Sequence, residues 1–112
     1  MKDEIKKQTT VTLNVGLDAN QVPVEIDWSA SDGGGKGECN AFMLSIWDKA
    51  DENTMRIDLW NKDMSVYDMQ RFFHQTLLTM SDTYKNATGQ ADIAADIRKF
   101  ADDFAKKTQI LG

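Results

Sequence analysis

Cysteine, histidine and proline each occur only once in this chain of 112 residues. The single cysteine, Cys39, has no partner for a disulfide within the chain. A structural zinc site needs four nitrogen, sulfur or oxygen ligands, and Cys39 and His74 supply only two of the usual soft or imidazole kind. The sequence therefore excludes an internal disulfide and argues against a zinc site built from one chain.

Basic residues are also few, because 13 Lys+Arg stand against 18 Asp+Glu, which gives a net charge of -5. Sequence-independent binding of nucleic acid needs a surplus of Lys and Arg, so no nucleic-acid partner is expected. No run approaches the roughly 18 consecutive apolar residues of a membrane helix, and no apolar signal-peptide segment follows the first lysines. We expect a cytoplasmic protein without membrane insertion, and the length predicts one domain over residues 1–112.

Two segments near the N-terminus alternate apolar and polar side chains with the period of a half-buried strand. Their apolar positions are Val11, Leu13, Val15 and Leu17 in the first segment, and Val22, Val24, Ile26, Trp28 and Ala30 in the second. Pro23 lacks an N–H, so it belongs at the start of its strand or on a sheet edge. Residues 1–8 are expected to be disordered. Residues 31–38 hold four of the seven glycines, which predicts a flexible loop.

A third strand is predicted over residues 39–47 and a fourth over residues 54–60, with a polar hairpin loop between them. From Ser65 the apolar period changes to 3.6, which predicts an amphipathic helix capped by the Ser65 hydroxyl. A second amphipathic helix is predicted from about residue 90 to residue 107. Together these elements predict an α+β fold: a four-stranded antiparallel meander sheet followed by two C-terminal amphipathic helices packed on one face.

The residue types that carry chemistry are sparse, and their spacing does not favour catalysis. The glycine run is not a P-loop, because glycine and glutamate follow Lys36 where Ser or Thr and a helix are required. Asp48, Asp51 and Glu52 lack the mid-loop glycine of an EF-hand, which favours a solvated turn over a calcium site. His74 lies beside the apolar stripe of a helix, where a structural role is favoured. No catalytic residue, metal or cofactor is predicted.

The third strand has two apolar faces, and one layer of helices covers only one of them. Large apolar patches on a protein surface commonly mark interaction sites, and tryptophan is enriched where binding energy concentrates. The candidate interaction surface consists of five side chains from the third and fourth strands: Met43, Trp47, Arg56, Asp58 and Trp60. The alternative is that the N-terminal segment, Ile110 and Leu111, or the glycine loop folds over the tryptophans, and the sequence leaves this open.

Several segments of the chain are distinctive: AFMLSIWD from Ala41, MRIDLWNKDM from Met55, RFFHQTL from Arg71, and DTY from Asp82 ahead of ATG from Ala87. Together with residues 22–32 they resemble the GldC family of gliding motility proteins from Bacteroidota over nearly the whole chain. The resemblance implies a small cytoplasmic accessory protein of gliding, with no established catalytic activity and no known cofactor. It also implies that five residues in these segments matter for the fold or for a partner: Trp47, Trp60, Phe72, Phe73 and His74.

We therefore expect a noncatalytic accessory protein, not an enzyme, that supports bacterial gliding motility through contacts with other proteins of the gliding or secretion apparatus. A homodimer formed through the tryptophans is a further hypothesis. The alternative from another functional class is a small-molecule binding protein or enzyme, with a pocket between sheet and helices near His74.

Overall fold

The computed structural model describes residues 3–110. The chain divides into two units, one ending at Met64 and the other beginning at Ser65. In the described residues the first unit contains five β-strands and the second contains two α-helices, so the predicted α+β class is confirmed. Of the segment expected to be disordered, Met1 and Lys2 lie outside the described residues, and residues 3–10 have no regular secondary structure. The single domain stays a prediction.

The first sheet is antiparallel, with the order β1-β2-β3. Its strands are β1 (Val11–Leu17), β2 (Pro23–Ala30) and β3 (Gly35–Cys39). The first two confirm the predicted strands, and Pro23 opens β2, where a missing N–H is tolerated. Ile26 of the central strand is 1% exposed and marks the core of this sheet.

The turn from β1 to β2 is built by one aspartate. Asp18 Oδ1 accepts the backbone N–H of Asn20 at 2.8 Å and that of Val22 at 3.1 Å. Short aspartate side chains favour turns because they bond to the backbone a few residues on. The predicted strand boundaries therefore follow from local turn chemistry.

The second sheet is a two-stranded antiparallel hairpin of β4 (Ala41–Asp48) and β5 (Asn53–Trp60). The predicted single four-stranded meander is therefore wrong, because the described strands form one sheet of three and one of two. The missed strand is β3: residues 35–38, assigned to the glycine loop from the sequence, pair with β2. The loop itself is a turn over residues 31–34.

Glycine explains why β3 forms where a loop was expected. Positive φ values occur at Gly33 (80°) and Gly35 (92°), and also at Asp32 (72°). Glycine adopts this conformation without strain, which lets the chain reverse in a short turn. Gly37 lies opposite Trp28, and a Cβ at Gly37 would approach Nε1 of that indole to 3.0 Å. The glycines thus make room for a large neighbour within an ordered strand.

The second unit is a pair of helices, α1 (Val66–Thr88) and α2 (Ala91–Thr108). The N-terminus of α1 is as predicted, because Ser65 Oγ accepts the backbone N–H of Asp68 at 3.0 Å. Gly89 ends the helix with φ of 73°, and its N–H donates to the Lys85 carbonyl at 2.8 Å. In the described part of the chain, neither helix combines the length and apolarity that crossing a bilayer requires.

Small side chains let α2 pack closely against α1. Ala94, Ala101 and Ala105 are almost completely buried. The buried Ser81 donates through its hydroxyl to the carbonyl of Ala94 at 2.7 Å, a distance that brings the two helix backbones close together. The predicted packing of the helices on one face of the sheet stays a prediction.

Candidate interaction surface

The hairpin of β4 and β5 is set by its backbone register and by polar groups at its tip. Paired residues run from Ala41 opposite Trp60 to the ends of both strands at the turn. Asp48 Oδ2 accepts the backbone N–H of Asp51 at 2.8 Å across the turn of residues 49–52. Glu52 has φ of 49°, the left-handed conformation by which the chain re-enters a strand.

The register places all five predicted surface residues on one face of the hairpin, because alternate side chains of a strand share a face. Met43 lies directly opposite Asp58, while Trp47 and Trp60 lie toward opposite ends. The exposed fractions of Trp47 and Trp60 are 67% and 57%. We call this set the tryptophan face: Met43, Trp47, Arg56, Asp58 and Trp60.

An ion pair occupies the middle of the tryptophan face. Arg56 donates through Nη2 to Asp58 Oδ2 at 2.9 Å, two positions further along the same strand. Both residues are exposed, and exposed pairs contribute only about 0–1 kcal/mol to stability. The pair therefore adds little to the fold, and both charges remain accessible to a partner.

The opposite face of the hairpin is apolar as well. This confirms the two apolar faces predicted for the third strand, which is β4. The large apolar side chains of this opposite face are Phe42, Leu44, Ile46, Met55, Ile57 and Leu59. Their alternation with Arg56 and Asp58 predicts that Met55 and Ile57 point inward, yet they are 55% and 50% exposed. An isolated two-stranded hairpin is marginally stable in water. This hairpin therefore depends on contacts made by its faces or its edges.

Two of the three segments considered as covers for the tryptophans lie elsewhere. The N-terminal segment is bonded to the residues that follow β2. The Thr10 N–H donates to the Ser31 hydroxyl at 2.9 Å, and the Ser31 N–H donates to the Thr10 carbonyl at 2.9 Å. Lys7 forms an ion pair with Asp32 at 2.9 Å. The glycine segment forms a turn and a strand beside Trp28. Of the third segment, Leu111 lies outside the described residues.

The remaining tryptophan, Trp28, borders a cleft that was not predicted from the sequence. Its indole covers the backbone of Gly35 and Gly37, which have no side chains to exclude it. A cleft of about 490 Å³ adjoins it, lined by Asp27, Trp28, Ser29, Lys36, Gly37 and Glu38. The alternating glycines Gly35 and Gly37, which follow the strand that contains Trp28, could have indicated this cleft. Glycines at alternate positions leave space for a large side chain on the neighbouring strand.

Cys39 ends β3 and is half-buried. Burial raises the pKa of its thiol, the backbone hydrogen bond at Ala41 acts in the opposite direction, and the Asp27 carboxylate raises the pKa further. Because the thiolate is the nucleophile, a thiol with a raised pKa is poorly reactive at neutral pH. Among residues 3–110, no three side chains of His, Cys, Asp or Glu come together in a way that could hold a metal ion.

His74 lies in the middle of α1 and is half-buried. One cleft within the helical unit is lined by residues other than His74: Thr79, Met80, Thr83, Tyr84, Ala87 and Ile97. Two further clefts, both in the sheet unit, are lined by residues of β2, β3 and their neighbours. The pocket near His74 stays a prediction.

The comparisons with known proteins give a family for this arrangement. The chain matches the family model described as gliding motility-associated protein GldC-like over residues 23–110. This range runs from the start of β2 to the end of α2 and contains the whole tryptophan face. No curated protein and no solved structure matches the chain. The match covers well over half of the sequence and confirms the resemblance noted above, so the chain belongs to the GldC-like family of gliding motility-associated proteins.

Proposed function

We propose that this protein is a noncatalytic accessory protein of gliding motility that acts in the cytoplasm by binding other proteins of the gliding or secretion apparatus. The family supports the link to motility. The observation that carries the binding role is the tryptophan face, where two indoles more than half exposed flank a charged pair on one side of a hairpin.

The energetics of such a face favour a protein partner. A buried tryptophan removes about 150–250 Å² from water, and at roughly 25 cal/mol per Å² two indoles offer a large gain on docking. Tryptophan and arginine are the residues enriched among those that dominate binding energy. The Arg56–Asp58 pair adds a charge pattern that a partner with complementary charges would recognise. Such complementarity gives an interface specificity.

The side chains of this face also support a noncatalytic role. Indoles, a thioether and an exposed ion pair supply no activated nucleophile. Chemistry of this kind suits recognition of a surface.

The test is complementation of a deletion strain with chromosomal variants. Trp47→Ala with Trp60→Ala should reduce surface spreading strongly, while protein level and circular dichroism stay unchanged. Tyr67→Ala is the matched control, because Tyr67 is an aromatic residue with 54% exposure on α1. Unchanged spreading of the folded double variant would contradict the binding role.

Two further measurements separate the alternatives. Cell fractionation should recover the protein with cytoplasmic markers, and recovery outside the cytoplasm would overturn the proposed location.

A thermal-shift screen with metabolites and nucleotides addresses the small-molecule alternative, since a ligand at about 100 times its Kd stabilises a protein by about 2.7 kcal/mol. We expect no shift in that screen.

A further inference from the structure

The outer edge of β5 has the sequence pattern of a self-pairing strand. β5 has eight residues and pairs with β4 on one side only, and within residues 3–110 no strand pairs with its other side. A strand edge presents unpaired N–H and C=O groups, which form a template for another strand. Natural edges are commonly shortened, bulged, or protected by proline or by charged side chains. β5 has no proline, and its pairing with β4 shows no bulge.

Charge on β5 is arranged symmetrically about Ile57. Arg56 precedes Ile57 and Asp58 follows it. If two copies of β5 pair antiparallel with Ile57 opposite Ile57, each Arg56 lies opposite the other copy's Asp58. Opposite charges directly across a pair of strands are stabilising, and like charges are destabilising.

The same charges exclude the neighbouring registers. A slip of two residues in one direction places Arg56 opposite Arg56, and a slip of two residues in the other places Asp58 opposite Asp58. The sequence of this edge is therefore complementary to itself in one register. β4 offers no such arrangement, because its only charged residue is Asp48 at the turn.

We infer that two copies of this chain associate through their β5 strands, which pair antiparallel about Ile57 and join the two hairpins into one four-stranded sheet. The contact is isologous, as a two-fold symmetric dimer requires. Pairing also brings apolar residues together, since the exposed Met55 lies opposite the half-buried Leu59 of the second copy on the face away from the tryptophans. It extends a marginal two-stranded hairpin to a size that is stable in water.

This inference goes beyond the proposed function, because edge pairing leaves the tryptophan face uncovered and available to another protein. One strand edge is a small interface compared with the roughly 1,200–2,000 Å² of stable complexes. We therefore expect a reversible equilibrium between monomer and dimer, with a larger dimer fraction at higher protein concentration.

A charge exchange in the purified full-length chain tests the pairing by sedimentation velocity. Arg56→Asp alone and Asp58→Arg alone each place like charges opposite one another, and each should weaken the dimer roughly tenfold or more. An equimolar mixture of the two single variants restores both opposite-charge pairs, and so does the double variant Arg56→Asp with Asp58→Arg. Both samples should dimerise with a Kd near that of the wild type.

Matched variants on the other charged edge strand provide the control. In β3, Lys36 and Glu38 flank Gly37 in the same alternation. Lys36→Glu and Glu38→Lys should leave the dimer unchanged. Trp47→Ala, on β4 and away from the pairing edge, should likewise leave the dimer intact, which separates this inference from the proposed function.

Three results would overturn the inference: a wild-type chain that stays monomeric at all concentrations, single charge variants that dimerise like the wild type, or dissociation caused by the Lys36 and Glu38 variants. Circular dichroism of each variant controls for folding, since the exposed Arg56–Asp58 pair adds little stability. Cross-linking checks the register: with Cys39→Ser, Ile57→Cys should give a covalent dimer and Val66→Cys, 75% exposed in the wild type, should not.

Discussion

Asn61 holds Asn40 through two hydrogen bonds at the point where β3 passes into β4. The backbone N–H of Asn61 donates to the Asn40 carbonyl at 2.9 Å, and Asn61 Nδ2 donates to Asn40 Oδ1 at 3.2 Å. Asn61 Oδ1 also accepts the backbone N–H of Asp63 at 3.1 Å. These bonds connect the junction between β3 and β4 to the residues that follow β5. Asn61 is only 5% exposed, so the bonds are made from a buried position.

Asn61→Ala should therefore destabilise the sheet unit. Loss of the amide removes the acceptor for the Asp63 N–H and the donor to Asn40, two partly buried hydrogen bonds that contribute about 0.5–1.5 kcal/mol each. Urea unfolding should show this loss. Asn14→Ala is the control, because exposed Asn14 makes a comparable bond of 2.8 Å to Asp27. We expect its effect to stay within about 0.5 kcal/mol, and equal effects of the two variants would contradict the role of Asn61.

Gly37→Ala should destabilise the first sheet because its Cβ would lie 3.0 Å from Trp28 Nε1. The indole must shift, and overpacking of this kind costs about 1–3 kcal/mol. In a Trp47→Phe and Trp60→Phe background, the fluorescence of Trp28 should move to longer wavelength. Gly16→Ala, whose Cβ would meet Glu25 Cβ at an ordinary 3.5 Å, should leave stability unchanged or raise it by up to about 1 kcal/mol. A stabilising Gly37→Ala would show that β3 has room for a side chain.

Ala101→Leu should destabilise the helix pair. Ala101 is 0% exposed and lies on the same stripe as Ala94, whose carbonyl accepts from Ser81 of α1. A larger side chain forces the helices apart at a cost of about 1–3 kcal/mol. Ala95→Leu, at an exposed position of the same helix, should change the melting temperature little. Equal melting temperatures for the two variants would contradict close packing by the alanine stripe.

Cys39 should react slowly with iodoacetamide, with a pH midpoint above that of an unfolded reference peptide. Burial, and then the Asp27 carboxylate, raise the pKa of the folded thiol, although the backbone bond at Ala41 opposes them. The unfolded chain therefore loses its thiol proton first as pH rises. The stability contributed by the neutral thiol is complete below the unfolded pKa and is lost as pH rises toward the folded pKa. A midpoint at or below that of the peptide would contradict this environment.

Local sequence patterns predicted most elements because local chemistry sets them. The alternation in β1 and β2, the Asp18 turn, the Ser65 cap and the Gly89 stop all act within a few residues. The two faces of the hairpin followed from the same period of two. The tryptophan face could therefore be named, residue by residue, from the sequence.

The division into two sheets depends on contacts that are distant in sequence. A single asparagine at position 40 is a weak turn signal, and the bonds that hold Asn40 come from Asn61. β3 was missed because glycine has low strand propensity, while the space that favours glycine there is set by Trp28 on another strand. Local propensity does not contain either relationship.

The central claim is that the tryptophan face binds another protein of the motility apparatus. In-cell photo-cross-linking tests this claim most directly. A benzoylphenylalanine at Thr54, which lies opposite Trp47 on that face, should form an adduct with such a protein in spreading cells. The same probe at Asn53, the adjacent residue on the opposite face, is the control and should not form this adduct. No adduct at Thr54, or the same adduct from both positions, would contradict the account.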